Sequence, residues 1–205
     1  MIAIVDYGAG NLHSVKNALD FIGAKSFVTS DAQEIKSACG VILPGVGAFG
    51  DAMNSMRQNN LHIVIKDIAK SGRPFLGICI GLQLLFESSQ ESPGVAVLGV
   101  LNGTINKIPD NLGLKVPHIG WNSVKIHQKT GIFKGIEENS YLYFVHSYYL
   151  KANNDLDVTA TTHYGVEIDA AVQSGNTYAV QFHPEKSGDN GILILKNFVQ
   201  LAREG

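Results

Sequence analysis

The hydrophobic positions of this chain change their period near Pro93. Before it, short unbroken apolar runs alternate with segments whose apolar residues recur at helical spacing. "MIAIVDY", ended by "GAGN", reads as a buried strand. "NLHSVKNALDFIG" sets Leu12, Val15, Ala18, Leu19 and Ile22 on one helical face, with Gly23 as a natural stop. "SFVTS" predicts a short strand, and "DAQEIKSAC" a helix that Asp31 can cap. "GVILPG" is another apolar strand, followed by a helical stretch to about Lys70. "RPFLGIC" then reads as a strand and "GLQLLFESS" as a helix. This alternation predicts parallel strands in an α/β sheet.

After Pro93, strand candidates follow one another with turns between them: "VLGVLNGTINKI", "NSVKIH", "YLYFVHSYYLKA", "DVTATTHYG", "EIDAAVQSG" and "TYAVQFHPE". They favour an antiparallel or mixed extension of the same sheet, and the segment from Gly191 to Arg203 closes the chain as a helix. The expectation is one α/β domain over residues 1–205, a mixed, largely parallel sheet flanked by helices. No internal repeat, low-complexity tract or linker interrupts it.

Composition narrows the picture. A chain of 205 residues with 45% apolar content can bury a sizeable core in one domain. A net charge of −2 with no basic cluster speaks against a nucleic-acid partner. The N-terminus lacks the basic start and cleavage site of a signal peptide, and the apolar stretch Phe75–Phe86 is too short to span a bilayer, so no membrane partner is expected. Only Cys39 and Cys79 occur, which leaves no disulfide framework and no metal or redox pair. A cytoplasmic protein is expected, with no metal and no cofactor. "Gly8-Ala9-Gly10" is not a dinucleotide loop, because position 13 is His where that fingerprint needs glycine.

The chemistry centres on "Gly77-Ile78-Cys79-Ile80-Gly81". A nucleophile framed by glycines, with a strand before and a helix after, is a nucleophile elbow with Cys in place of Ser. Side chains at the flanking positions would collide, and the helix start favours the thiolate. A thiolate needs a base and a group that orients it. In "Tyr178-Ala179-Val180-Gln181-Phe182-His183-Pro184-Glu185", His183 sits at a strand end. Glu185 falls on the same side if the segment stays extended, which gives a triad in the order Cys79, His183, Glu185. His146 in "FVHSYY" is the rival base, with no carboxylate nearby in sequence. A developing oxyanion needs donors. The Ile80 N–H is one, and the turn "Leu43-Pro44-Gly45-Val46-Gly47" could supply a second at Val46. An ordinary core cysteine, a strand-end histidine and a plain strand-ending turn are the alternatives to these three assignments.

Together these residues resemble the class I (triad) glutamine amidotransferases, through "GICIGLQ" and "FHPEKS", along the whole chain. Within that family "DYGAGN", "LPGVGAFGDAM", "VPHIGWN" and "YFVHSYY" are similar to the glutaminase subunits that serve a (β/α)₈-barrel cyclase. The resemblance implies glutamine as substrate, hydrolysed to glutamate and ammonia. The partner, in a heterodimer, uses the ammonia to make imidazole glycerol phosphate and an aminoimidazole carboxamide ribotide. It implies substrate contacts from Gly45, Gly47, Gln83, Ser147 and Tyr148, and a partner interface of Asn11, His118, Trp121, Tyr143 and Lys186. It also implies that the "PGVG" turn, with Val46 where most of the family has glycine, withholds its donor until the partner binds substrate. The alternatives are a glutaminase feeding another synthase, a free-standing cysteine hydrolase, and a catalytically inactive regulatory module.

Overall fold

A computed structural model describes residues 1–204. The first part of the chain runs β1 (Ile2–Val5), α1 (Leu12–Phe21), β2 (Ser26–Thr29), α2 (Ala32–Ser37), β3 (Gly40–Gly45), α3 (Phe49–Gln58), α4 (Leu61–Lys70), β4 (Phe75–Cys79) and α5 (Ile80–Gln83). The strands that follow are β5 (Ser88–Ser89), β6 (Gly103–Lys107), β7 (His118–Ser123), β8 (Lys125–Ile126), β9 (Tyr141–His146), β10 (Tyr148–Ala152), β11 (Val158–His163), β12 (Glu167–Ser174) and β13 (Thr177–Val180). Helix α6 (Gly188–Glu204) ends the described chain.

The main sheet has eight strands in the order β2-β1-β3-β4-β13-β12-β11-β8. From β2 to β13 every pairing is parallel, and from β13 to β8 every pairing is antiparallel. Strands β1, β3 and β4 are buried at every position. Helices cover both faces of a parallel sheet, so its strands read as unbroken apolar runs. The expected mixed, largely parallel α/β sheet is therefore the architecture observed. Asp31 caps α2 as expected: its carboxylate accepts from the N–H groups of Gln33 and Glu34.

Three elements differ from the sequence expectation. The stretch to Lys70 is two helices, broken where Asn60 takes a left-handed backbone (φ 55°) that asparagine tolerates better than most residues. The helix after Cys79 lasts only one turn. Leu84, Leu85 and Phe86 are all buried, and the Leu85 carbonyl receives the N–H groups of Val100 and Leu101, so the chain turns inward to join the core. "YLYFVHSYYLKA" is not one strand. It breaks at Ser147: β9 pairs with β7 in a two-stranded ribbon, and β10 pairs with β6 in a separate three-stranded sheet. The break lays residues 145–148 across the C-terminal ends of β4 and β13, which is where ligands bind in open α/β sheets. Among the described residues, no helix is long and apolar enough to cross a membrane.

Candidate active site

Cys79 ends β4 and opens α5 with φ 55° and ψ −108°, a strained backbone for a residue with a side chain. The flanking glycines make that turn possible. A Cβ at Gly81 would overlap the Leu43 carbonyl, and one at Gly77 would lie 2.7 Å from the Gly81 carbonyl oxygen. Because α5 is a single turn, it carries little of the helix dipole that the sequence suggested. Charge to balance a thiolate must come from elsewhere.

His183 is that source. Its Nδ1–H donates to Glu185 Oε1 at 2.8 Å, and its Nε2 has no hydrogen-bond partner among the described residues. Burial works against a charged ring here. Interactions with the Cys79 sulfur and with the Glu185 carboxylate outweigh it and push the imidazole up to about 9. The extended geometry expected for this segment is only half right. His183 itself is extended, but Pro184–Lys186 form a 3₁₀ turn, and it is this turn that folds Glu185 back onto the ring.

Cys79 and His183 border a cavity of about 410 Å³, lined also by Val46, Gly47, Gln83, Ser147 and Tyr148, with Glu185 buried behind His183. Ile80 lies on the same wall, at the start of α5. Val46 is exposed, on the rim. Gly45 lies beneath, packed against the phenol of Tyr7, so it is not a cavity-lining group. Tyr7 is fully buried and its hydroxyl has no partner among the described residues; burial, then the nearby Cys79, push that hydroxyl well up. Gln83 Nε2 donates to the Tyr148 carbonyl at 3.0 Å and to Gln181 Oε1 at 3.1 Å, while Gln83 Oε1 is unpaired among the described residues.

His146, the rival base, also lines the cavity, but it is neutral. Burial, then the neighbouring His118, hold it down at about 3. Its Nδ1 lies 2.9 Å from the Tyr148 carbonyl, and its Nε2 lies 3.0 Å from His118 Nδ1. A carbonyl only accepts, so His146 Nδ1 carries the proton and Nε2 accepts from His118. Both nitrogens are occupied.

The expected interface residues divide. Trp121 is exposed, Tyr143 is half-buried, Lys186 is exposed and lines the cavity, and Asn11 is half-buried at the start of α1. Trp121 lies on strand β7. His118 does not belong with them. It is 3% exposed, stacked between Phe144 and Tyr164, because its register on β7 points it inward while Trp121 points out.

Sequence reasoning passed over three residues. Glu91 lines the cavity, with one carboxylate oxygen accepting from the Phe49 N–H at 3.1 Å. Ser187 stitches the His183 turn to β9, donating to the His183 carbonyl and accepting from the Tyr143 N–H. Gln181 touches Cys79. The register of β13 on β4, Val180 opposite Ile78, foretells that last contact, but only once the two strands are known to pair. Among the described residues, no group of three or more His, Cys, Asp or Glu side chains could hold a metal ion.

The comparisons agree with this geometry. The family described as "Glutamine amidotransferase class-I" matches residues 3–201. A relative from Moorella thermoacetica named imidazole glycerol phosphate synthase subunit HisH is 50% identical over 202 residues, covering 98% of this chain and 95% of the relative. One of the same name from Methanothermobacter thermautotrophicus is 50% identical over 203 residues, covering 99% and 100%. A crystal structure of a glutamine amidotransferase has the same fold, with a TM-score of 0.77 at 18% identity, covering 99% of this chain and 100% of that one. In the structure of PurLQS from Thermotoga maritima, one chain superposes with a TM-score of 0.76 at 21% identity, covering 97% of each. With a family match over almost all of its length, a shared fold and a cysteine elbow facing His183 and Glu185, this chain belongs to the class I glutamine amidotransferases.

Proposed function

We propose that this chain is the glutaminase subunit of an imidazole glycerol phosphate synthase, acting in histidine biosynthesis. It hydrolyses glutamine and passes ammonia to a (β/α)₈-barrel cyclase, in a cytoplasmic heterodimer. The observation that carries this reading is His183, held between Glu185 and Cys79 at a cavity of amino-acid size. The chain is also half identical, over nearly its full length, to relatives of that name.

In this mechanism the Cys79 thiolate attacks the side-chain amide carbon of glutamine. The N–H of Ile80, with the main chain at Val46, meets the developing oxyanion. The imidazolium of His183 gives its Nε2 proton to the departing nitrogen, and ammonia leaves behind a thioester. Neutral His183 then takes a proton from water as that water attacks the thioester carbon. Glutamate departs, and the thiolate–imidazolium pair is restored. Glu185 holds the ring so that Nε2 faces the sulfur throughout. Gln83 Oε1 and the Glu91 carboxylate suit the α-ammonium of the substrate, and the main chain of Gly47, Ser147 and Tyr148 completes the pocket.

The partner surface is the outward face of the β7–β9 ribbon. Ile119, Trp121 and Tyr141 are each more than half exposed there, a cluster of apolar groups that marks protein interfaces. It is bonded directly to the triad: the His183 N–H donates to the Tyr143 carbonyl at 2.9 Å. A partner docked on this ribbon can thus act on His183 through one strand.

The test uses the complex with the cyclase and two assays. Cys79→Ser should abolish synthesis driven by glutamine and leave synthesis driven by ammonium salt intact, because a serine hydroxyl is far less ionised than a thiol. Equal loss in both assays would place the defect in assembly. Glutamine-driven synthesis at the wild-type rate would remove Cys79 from the mechanism.

A further inference from the structure

Gln181 has no part in the mechanism so far, yet it is fully buried against the nucleophile. It follows the last residue of β13, and its own N–H is fixed by the Ala170 carbonyl at 2.8 Å. Its side-chain Nε2 lies 3.6 Å from Cys79 Sγ, within reach of a hydrogen bond to sulfur.

The orientation of that amide follows from a peptide group two bonds away. The Tyr148 carbonyl can only accept, so Gln83 must turn its NH₂ toward it. The second proton of that NH₂ points at Gln181, which must answer with its oxygen, at 3.1 Å. Gln181 therefore presents its NH₂ to the sulfur. With the amide turned over, two NH₂ groups would face each other and an oxygen would face the thiolate. The His146 N–H on the same carbonyl holds the far end of the chain in place.

We propose that Gln181 is a catalytic residue that donates a hydrogen bond to the Cys79 thiolate. The inference rests on the reading of Cys79 as nucleophile and adds a second group that stabilises its charge. His183 must give up its proton as ammonia leaves, whereas a neutral amide keeps its protons through the whole cycle. The bond weakens when sulfur is acylated and neutral, and strengthens as sulfur departs from the thioester. Gln181 thus favours the step that regenerates the enzyme.

The test follows thiol–disulfide exchange of Cys79 with a small neutral disulfide across pH, on the full chain carrying Cys39→Ser. Gln181→Met keeps the volume and removes the donor. Its titration midpoint should rise by about one pH unit, a roughly tenfold smaller thiolate fraction below the midpoint. The more basic thiolate is intrinsically faster, so the rate at low pH should fall only about threefold and the plateau at high pH should rise about threefold. A merely structural role would not move midpoint and plateau together. Gln181→Glu retains the acceptor for Gln83 but opposes the thiolate, so its midpoint should rise further still. In the unsubstituted chain, the side-chain amide proton resonances of Gln181 should shift with the same midpoint as the exchange rate. Folded variants with the original midpoint, or an amide indifferent to the titration, would overturn the proposal. A Cys79 that fails to react with a glutamine-mimicking electrophile would instead overturn the proposed function, whatever Gln181 does.

Discussion

Two histidines face one cavity, and one is charged while the other is neutral. His183 is pushed up to about 9, and His146 is held down at about 3. Both are buried, so burial does not separate them. Their neighbours do. His183 has a carboxylate on one nitrogen and the Cys79 sulfur close enough to favour its charge. His146 has a peptide carbonyl on one and a second neutral imidazole on the other. A carbonyl accepts a proton without supplying charge, and an imidazole already donating into Nε2 leaves no room for another proton. One side of the cavity is therefore built to move protons and the other to hold a shape.

The most severe way to break this comparison is to exchange the two roles. His183→Ala should lower glutamine hydrolysis in the complex by about 10²–10⁴, the usual worth of a placed acid–base group. His146→Gln, which keeps a donor for the Tyr148 carbonyl, should stay within about tenfold of wild type. The reverse order of effects would make His146 the base.

Replacing the carboxylate alone sharpens the contrast. Glu185→Gln retains an acceptor for the ring and removes the charge. Glutamine hydrolysis should decline above pH about 9 in the wild-type complex, as His183 loses the proton it must deliver. The variant should decline at lower pH, by about 1–3 units, with turnover at neutral pH reduced less than by His183→Ala. An alkaline limb unmoved by Glu185→Gln would assign it to another group.

The smallest effect is on stability, and it has opposite signs on the two sides. For His183 the folded value lies above the unfolded one, near 6.5. Its contribution is complete below pH 6.5 and is lost as pH rises through about 9. For His146 at about 3 and His118 at about 4, the contribution is complete above 6.5 and is lost as pH falls toward those values. Thermal unfolding of the chain should therefore peak near pH 6.5 and drop by about 5–10 °C toward pH 5. Replacing both His118 and His146 by Gln should flatten the acid side alone. An acid side as steep in that double variant would show that other groups govern it.

The proton-moving side was legible in the sequence, and the shape-holding side was not. The elbow around Cys79 and the order His183-Pro184-Glu185 are local, so a short stretch of chain carries the whole instruction. The opposite wall depends on which strands pair. Leu142, Phe144 and His146 before the break at Ser147, and Leu150 and Ala152 after it, are buried in one alternating phase, with Tyr148 between them half-buried. The hydrophobic period therefore gives no sign that one run serves two sheets. The β7–β9 ribbon was hidden for the same reason, and with it the inward register that buries His118 beside an outward Trp121. Gln181 depended on a parallel pairing between strands about a hundred residues apart. The fold class, by contrast, followed from strand–helix alternation alone.

The strained turn at Cys79 has a consequence for how such a site ages. Besides that backbone, the cavity region leaves Tyr7 Oη, Gln83 Oε1, His183 Nε2 and Glu185 Oε2 buried with no partner among the described residues. Each buried orphan costs about 1–3 kcal/mol, so the site is the part of the chain least satisfied by its own fold. Phenylalanine at 7 or an apolar residue at 83 would relieve that debt at once. In a lineage released from the need to cleave glutamine, drift would thus run downhill: the site would erode first, and the fold would grow firmer as the chemistry disappeared.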